Sequence, residues 1–175
     1  MGDRSVTRNC GPDLVRVGAG LPVAAYRDEI TTALHGGRAV IVAPPGTGKT
    51  TFVPPLVASR CSGRVIVTQP RRVAARAAAR RLATLTGTRP GEFASHTVHG
   101  ESTTTRDTKV EFVTTGVLLR RLLSDPDLTG VDAVVLDEVH ERHLDADLVV
   151  AMVCEVAQLR DDLTIVCLLY TSPSP

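Results

Sequence analysis

A glycine-rich run at residues 43–51, Ala-Pro-Pro-Gly-Thr-Gly-Lys-Thr-Thr, has the spacing of a phosphate-binding loop, with Ala where the pattern usually begins with Gly. The glycines allow the backbone to turn so tightly that successive N–H groups point toward phosphate oxygens. The lysine places a positive charge on the β- and γ-phosphates, and the following threonine offers its hydroxyl to Mg²⁺. The alternative is an ordinary Pro/Gly turn before a helix. The residues predicted to bind the nucleotide are Pro45, Gly46, Thr47, Gly48, Lys49, Thr50 and Thr51.

Two carboxylates, Asp137 and Glu138, directly follow the apolar run 131–136. Carboxylates at the C-terminal end of a buried parallel strand lie where ligands bind in α/β sheets. We expect Asp137 to hold Mg²⁺ through a water molecule, and Glu138 to orient or deprotonate the attacking water. An acidic pair alone is common on solvated loops, but triphosphate hydrolysis needs both a phosphate cradle and such a pair. Thr50, Asp137 and Glu138 are therefore the candidate metal site, and Lys49 and Glu138 are candidate catalytic residues.

A basic segment, residues 71–81, carries five arginines in eleven positions on a predicted helix. One interpretation is a solvated basic face. The other concerns Arg71 and Arg72, which follow the predicted strand 64–68 and therefore lie at a helix N-terminus on the ligand-binding edge of the sheet. At that place they could contact a phosphate backbone and position a nucleic acid without reading its sequence.

Apolar runs alternate with helical patterns along the chain. Strands are predicted over 39–43, 64–68, 109–113, 131–137 and 163–167, and helices over 24–35, 49–59, 71–86, 116–123 and 145–158. This alternation indicates βαβ units and a mostly parallel sheet covered on both faces, an α/β fold of three layers. The stretch 87–108 is polar and turn-rich, and we interpret it as a loop with one short strand.

Composition excludes several classes of protein. The formal net charge of +1 does not indicate a nucleic-acid partner by itself, and aromatics at 3% with no Trp do not favour a base-stacking platform. The four cysteines show no C-x-x-C spacing, which favours free thiols in a reducing cytoplasm over a metal site. No apolar run approaches the roughly 20 residues that a membrane span requires, so we expect no membrane partner.

Four motifs together resemble those of the DEAH-box helicases of superfamily 2, most closely the bacterial HrpB branch. They are the phosphate loop, Thr-Gln-Pro-Arg-Arg-Val-Ala-Ala (68–75), Val-Thr-Thr-Gly-Val-Leu-Leu-Arg-Arg-Leu (113–122) and Leu-Asp-Glu-Val-His-Glu-Arg (136–142). They fall in the family's order and spacing between about residues 13 and 166. The resemblance implies a RecA-like P-loop NTPase domain, with ATP and Mg²⁺ as cofactors, that unwinds RNA or DNA with 3′→5′ polarity.

The resemblance also assigns roles to individual residues. From the residues alone, His140 is equally well a link from the acidic site to a neighbouring element or a polar residue at a helix start. In the family this histidine couples the ATP state to the partner motor domain, which makes His140 a third candidate catalytic residue. Thr115 and Gly116 match a motif that contacts nucleic acid, as Arg71 and Arg72 do, and Arg81 matches an arginine that stacks on adenine. The family pattern departs at 94–99, where an aromatic and an Arg are replaced by histidines.

The last nine residues, Cys-Leu-Leu-Tyr-Thr-Ser-Pro-Ser-Pro (167–175), stand where the family has a Ser-Ala-Thr motif. The first six of them, Cys-Leu-Leu-Tyr-Thr-Ser, match the translation of a transposase mosaic-end adapter, although a divergent terminus is the alternative. We therefore predict a loose lead-in over 1–20, an incomplete motor domain over 21–166 and a non-native tail over 167–175.

Three functions remain open from the sequence. The first is a helicase motor domain that needs a second RecA-like domain of the same protein, and single-stranded RNA or DNA as its partner. The second is a nucleotide-gated binding module without turnover. The third is a P-loop ATPase unrelated to nucleic acid, which predicts no salt-dependent binding to single strands.

Overall fold

The computed structural model describes residues 11–139 and 144–171, which form a seven-stranded sheet with helices on both faces. The order across the sheet is β1-β7-β6-β2-β5-β3-β4, and all neighbours are parallel except β3 and β4. This arrangement confirms the predicted α/β fold class. The strands are β1 (Arg38–Val42), β2 (Arg64–Gln69), β3 (Ala94–Val98), β4 (Glu101–Ser102), β5 (Val110–Thr114), β6 (Val131–Asp137) and β7 (Thr164–Leu169).

The part of the chain that the structure describes has six α-helices, which form the outer layers. Two hydrophobic clusters lie on opposite faces of the sheet, one built with α1 to α4 and the other with α5 and α6. The central strands are buried on both faces, which explains why they read as continuous apolar runs. No helix within 11–139 and 144–171 is long and apolar enough to cross a bilayer. The helices are α1 (Leu14–Gly18), α2 (Arg27–Leu34), α3 (Lys49–Ala58), α4 (Arg72–Thr86), α5 (Thr115–Ser124) and α6 (Leu144–Leu159), with a 3-10 helix at Pro22–Tyr26.

The strand order determines which loops meet. Because six of the strands are parallel, the loops that follow them emerge at one edge of the sheet, here called the carboxyl edge. The phosphate loop follows β1, and the acidic pair follows β6, two places away in the sheet with β7 between them. The basic start of α4 follows β2, which is the neighbour of β6.

The prediction of a loose lead-in over 1–20 is wrong for residues 13–20, while residues 1–10 lie outside the described part. Asp13 Oδ1 accepts hydrogen bonds from the backbone N–H groups of Val15 and Arg16, each at 3.1 Å, and so caps α1. Leu14 and Val17 are buried in the core. A five-residue helix shows only one turn of apolar spacing, which is too short to stand out as a period.

Two further boundaries differ from the sequence prediction. The stretch 87–108, predicted as a loop with one short strand, contains two strands, β3 and β4, and the position of β3 was not predicted because its side chains are mostly polar. Those side chains pair with each other and with neighbours; Thr97 Oγ1, for example, donates to Glu111 Oε1 at 2.7 Å. Strand β7 extends to Leu169, three residues beyond the predicted end of the domain at 166. The non-native origin of residues 167–175 stays a prediction.

Candidate nucleotide site and nucleic-acid edge

The loop of residues 43–48 connects β1 to α3 and needs glycine at two positions. Gly46 and Gly48 have φ values of +78° and +88°, a left-handed conformation that glycine adopts without steric cost. At Gly48 a side chain would also have no room, because a Cβ would lie 2.9 Å from Leu21 Cδ2. The two glycines that the sequence assigned to the phosphate loop are thus required by its backbone path.

Lys49, the first residue of α3, points its ammonium group back onto the loop. The residue is only 3% exposed. Its Nζ donates to the carbonyl oxygens of Ala43 at 2.5 Å and Pro44 at 3.1 Å. Burial lowers the pKa of Lys49, and the charges of Asp137 and Glu138 act in the opposite direction. The ammonium is therefore held inside the loop by acceptors that a phosphate group could replace.

Asp137 ends β6 and receives hydrogen bonds from two other segments. Its carboxylate accepts from Thr50 Oγ1 at 2.5 Å and from Gln69 Nε2 at 2.7 Å, and its backbone N–H donates to Thr68 Oγ1 at 3.1 Å. Burial raises the pKa of Asp137, while the hydrogen bonds from Thr50 and Gln69 partly offset that rise. Because burial disfavours the bare negative charge, a cation at this place would be stabilised.

Glu138 follows Asp137 with a φ of +57°, the left-handed region that non-glycine residues rarely occupy. Such strained residues concentrate at functional sites. Its backbone N–H donates to Asp137 Oδ1 at 3.0 Å, and its Oε1 accepts a hydrogen bond from the hydroxyl of Tyr170. The strand thus ends sharply at Asp137, and Glu138 lies in the turn beyond it.

The residues predicted to contact nucleic acid lie along the same edge. Arg71 and Arg72 are exposed at the start of α4, and Thr115 and Gly116 are half-buried at the start of α5. A cavity of about 160 Å³ is lined by Thr115 and Gly116 together with Asp137, Glu138 and residues of β2 and α6. Part of the predicted nucleic-acid site therefore adjoins the predicted hydrolysis site directly.

The structure brings Lys49, Thr50, Asp137 and Glu138 together, as the sequence predicted. His140 lies outside the described residues. Arg81 is exposed on α4, and its stacking on adenine stays a prediction.

Sequence reasoning assigned no role to three residues that the geometry places at the site. Leu21 packs on Gly48, Gln69 donates to Asp137, and Tyr170 contacts both Lys49 and Glu138. Gln69 had a signal, because a polar residue at the end of a buried strand faces the carboxyl edge. Leu21 and Tyr170 had none, since their contacts depend on packing between segments remote in sequence.

The chain has a glycine-rich loop after β1 and a buried carboxylate at the end of β6, two places away in the sheet. These two features define its class as an α/β P-loop domain. A known structure agrees with this class along most of the chain. The crystal structure of Escherichia coli DEAH/RHA helicase HrpB superposes with a TM-score of 0.83 at 40% identity, covering 89% of this chain and 20% of that one. The match shows that the domain has the RecA-like fold.

Sequence comparison then gives the family. The DEAD/DEAH box helicase model matches residues 26–167. The ATP-dependent RNA helicase HrpB of E. coli is 42% identical over 155 residues, which are 86% of this chain and 19% of the relative. The ATP-dependent RNA helicase HrpA of Borreliella burgdorferi is 35% identical over 150 residues, 83% of this chain and 18% of the relative. The chain belongs to the DEAD/DEAH box helicase family, and it spans about a fifth of the length of these relatives.

Proposed function

We propose that this chain is the first motor domain of an ATP-dependent helicase acting on RNA or DNA. The observation that supports it best is the 2.5 Å hydrogen bond between Thr50 Oγ1 and Asp137 Oδ2. It joins the phosphate loop to the acidic strand end across 87 positions of sequence. Triphosphate hydrolysis needs both segments at one place, because the loop holds the phosphates while the carboxylates bind the metal ion and orient the attacking water.

The residues present fit a magnesium ion. Mg²⁺ prefers oxygen ligands and commonly keeps one or two protein groups together with phosphates and water. The Thr50 hydroxyl and the buried Asp137 carboxylate are such oxygens, and the burial that raises the pKa of Asp137 would be offset by a cation. Bound there, the ion would neutralise charge on the phosphates. Glu138 would hold the attacking water and accept its proton, and Lys49 would leave its loop carbonyls for the phosphates.

Residues at the carboxyl edge are the basis on which a nucleic-acid partner is proposed. Arg71 and Arg72 offer exposed positive charge at a helix start, where phosphate groups bind without base readout. Thr115 and Gly116 line the cavity that reaches the acidic pair, which supports a connection between strand contact and hydrolysis. The names of the relatives describe RNA helicases, and we propose single-stranded RNA or DNA as the partner here.

The chain alone is expected to be a poor enzyme. P-loop NTPases depend on an arginine that stabilises the transition state, with an effect of about 10³–10⁵ in rate. The family resemblance places that arginine on the second RecA-like domain, and His140 is proposed to couple the two domains. We therefore propose that the 175 residues bind ATP weakly, hydrolyse it slowly and do not unwind duplexes.

Glu138→Gln in the complete protein tests the assignment. Turnover should fall by at least about 100-fold because the water loses its base, while nucleotide affinity stays within about twofold. ATPase rates and calorimetric binding of ATPγS measure the two quantities. Glu155→Gln, an exposed carboxylate on α6, is the matched control and should leave both unchanged. An undiminished rate in Glu138→Gln would remove this residue from catalysis.

A further inference from the structure

The residue after β7 has a position fixed by the sheet. Strand β7 lies between β1 and β6, with Leu169 in register with Val42 and Leu168 in register with Asp137. The backbone N–H of Ala43 donates to the Leu169 carbonyl at 3.2 Å. The next residue, Tyr170, therefore emerges between the phosphate loop and the acidic pair.

Tyr170 uses that position to contact both. The Nζ of Lys49 lies 4.1 Å from the centre of the tyrosine ring, within range of a cation–π interaction. The tyrosine hydroxyl donates to Glu138 Oε1, a charge-assisted hydrogen bond. The other partners of the Lys49 ammonium are the carbonyls of the phosphate loop itself. The ring thus stands between the cation that should meet the phosphates and the carboxylate that should meet the water.

We propose that Tyr170 is an autoinhibitory residue that occupies the place of the terminal phosphate, an inference that rests on the function proposed above. ATP can bind only in the fraction of molecules in which the ring has moved away, and the apparent Kd is raised by the inverse of that fraction. The ring contributes to the inhibition through its contact with Lys49, and the hydroxyl through its hydrogen bond to Glu138. Substitutions can therefore remove the two contacts separately.

The inhibition concerns the 175-residue polypeptide. It depends on the ring and the hydroxyl that Tyr170 places after β7, and the sequence predicts that residues 167–175 are not native to the domain. A small residue there would leave the space between Lys49 and Glu138 open. The block is thus a second cause of weak nucleotide binding by this polypeptide, separate from the second domain that we propose it needs.

Calorimetric titration with ATPγS and Mg²⁺ tests the proposal on the 175-residue chain. Tyr170→Ala should lower the Kd about tenfold, and Tyr170→Phe, which keeps the ring, should lower it about threefold. Lys49→Ala, in combination with either variant, should abolish binding. Equal Kd values for the parent chain and Tyr170→Ala would overturn the inhibition and leave the proposed function standing. Absence of binding in every variant would overturn both.

A spectroscopic measurement follows the ring directly. The chain has no Trp and only two tyrosines, so in Tyr26→Phe the tyrosine emission reports Tyr170 alone. Emission should rise on addition of ATPγS and Mg²⁺, because the hydroxyl leaves a carboxylate acceptor that quenches it. In Tyr26→Phe with Lys49→Ala the emission should stay constant. A constant emission in Tyr26→Phe under saturating nucleotide would contradict displacement of the ring.

Discussion

Replacing Glu111 by Gln should cost this domain a large part of its stability. Glu111 lies in β5 and is fully buried, yet it is charged. Arg121 forms a bidentate pair with its carboxylate at 2.8 and 2.9 Å, and Arg64 and Thr97 donate at 3.2 and 2.7 Å. A neutral amide of the same shape keeps one acceptor oxygen but turns its N–H₂ group toward guanidinium donors. The variant therefore loses the charge while it keeps the volume.

The pKa of Glu111 gives the size of the expected loss of stability in Glu111→Gln. Burial alone would raise this pKa, but the hydrogen bonds from Arg121 and Thr97 and the charges of Arg121 and Arg64 outweigh burial and lower it from 4.5 to about 2. This difference corresponds to about 3 kcal/mol in favour of the folded state at neutral pH. Removing one partner of a buried pair costs roughly 3–5 kcal/mol, and the partly exposed arginines favour the lower end. The expected loss is thus about 3 kcal/mol.

Thermal unfolding followed by circular dichroism measures the loss. For a chain of this size, about 3 kcal/mol corresponds to a fall in Tm of roughly 6–12 °C. Glu155→Gln, which removes the charge of an exposed carboxylate on α6, is the control and should change Tm little. A change in Glu111→Gln no larger than in the control would refute the reasoning.

The pH dependence provides a second test of the same cause. A carboxyl whose pKa is lowered by folding stabilises the native state fully above its unfolded value of 4.5. That stabilisation is lost as the pH falls toward about 2. The difference in stability between the parent chain and Glu111→Gln should therefore be constant above pH 5 and shrink between pH 5 and 2. A difference that stays constant through this range would assign the loss to packing instead of charge.

Two other perturbations have expected outcomes. Gly48→Ala should lower the free energy of unfolding in urea by about 2 kcal/mol, because the φ of +88° strains an L-residue and a Cβ has no room there. Gly36→Ala is the control, since the nearest atom to its Cβ would be 3.8 Å away, and equal losses in the two variants would contradict the argument. Arg71→Ala with Arg72→Ala should flatten the slope of log binding constant against log salt by about 1.4 for a labelled single strand, as measured by fluorescence anisotropy. Arg89→Ala, beyond the other end of α4, should leave that slope unchanged, and an unaltered slope in the double variant would exclude both arginines as phosphate contacts.

The sequence predicts the site better than the layers around it. Gly46, Gly48 and Lys49 are identified because backbone approach to phosphate restricts both residue type and spacing, and Asp137 because an acidic pair directly follows an apolar run in a chain that also carries a phosphate loop. These requirements are local, so they are visible in one segment of sequence. The apolar runs likewise identify the parallel strands that are buried on both faces.

The missed features depend on contacts between distant segments. The position of β3 is not evident from the sequence because distant residues satisfy its polar side chains: Ser95 pairs with Thr104, and Thr97 pairs with Ser102 and Glu111. No periodicity indicates such pairing. The buried charge of Glu111 is equally invisible, since Arg121 and Arg64 approach it from separate elements. Helix α1 was missed because a single turn with two buried apolar residues, Leu14 and Val17, has no period. Burial of a polar group can be inferred only when all its partners are known.

The order of the strands places the proposed hydrolysis site and the proposed nucleic-acid contacts at one edge of the sheet. Asp137 ends β6, and the end of β2 is bonded to it through Thr68 Oγ1 and Gln69 Nε2. Gln69 is followed by Pro70 and then by Arg71, so a single residue separates a group bonded to the proposed metal-binding carboxylate from a proposed phosphate contact. Because Pro70 has a fixed φ angle, the connection is stiff, and a displacement of Asp137 would also move the start of α4. The short connection is consistent with the proposed function, in which the bound nucleotide and the affinity for the nucleic-acid strand would change together.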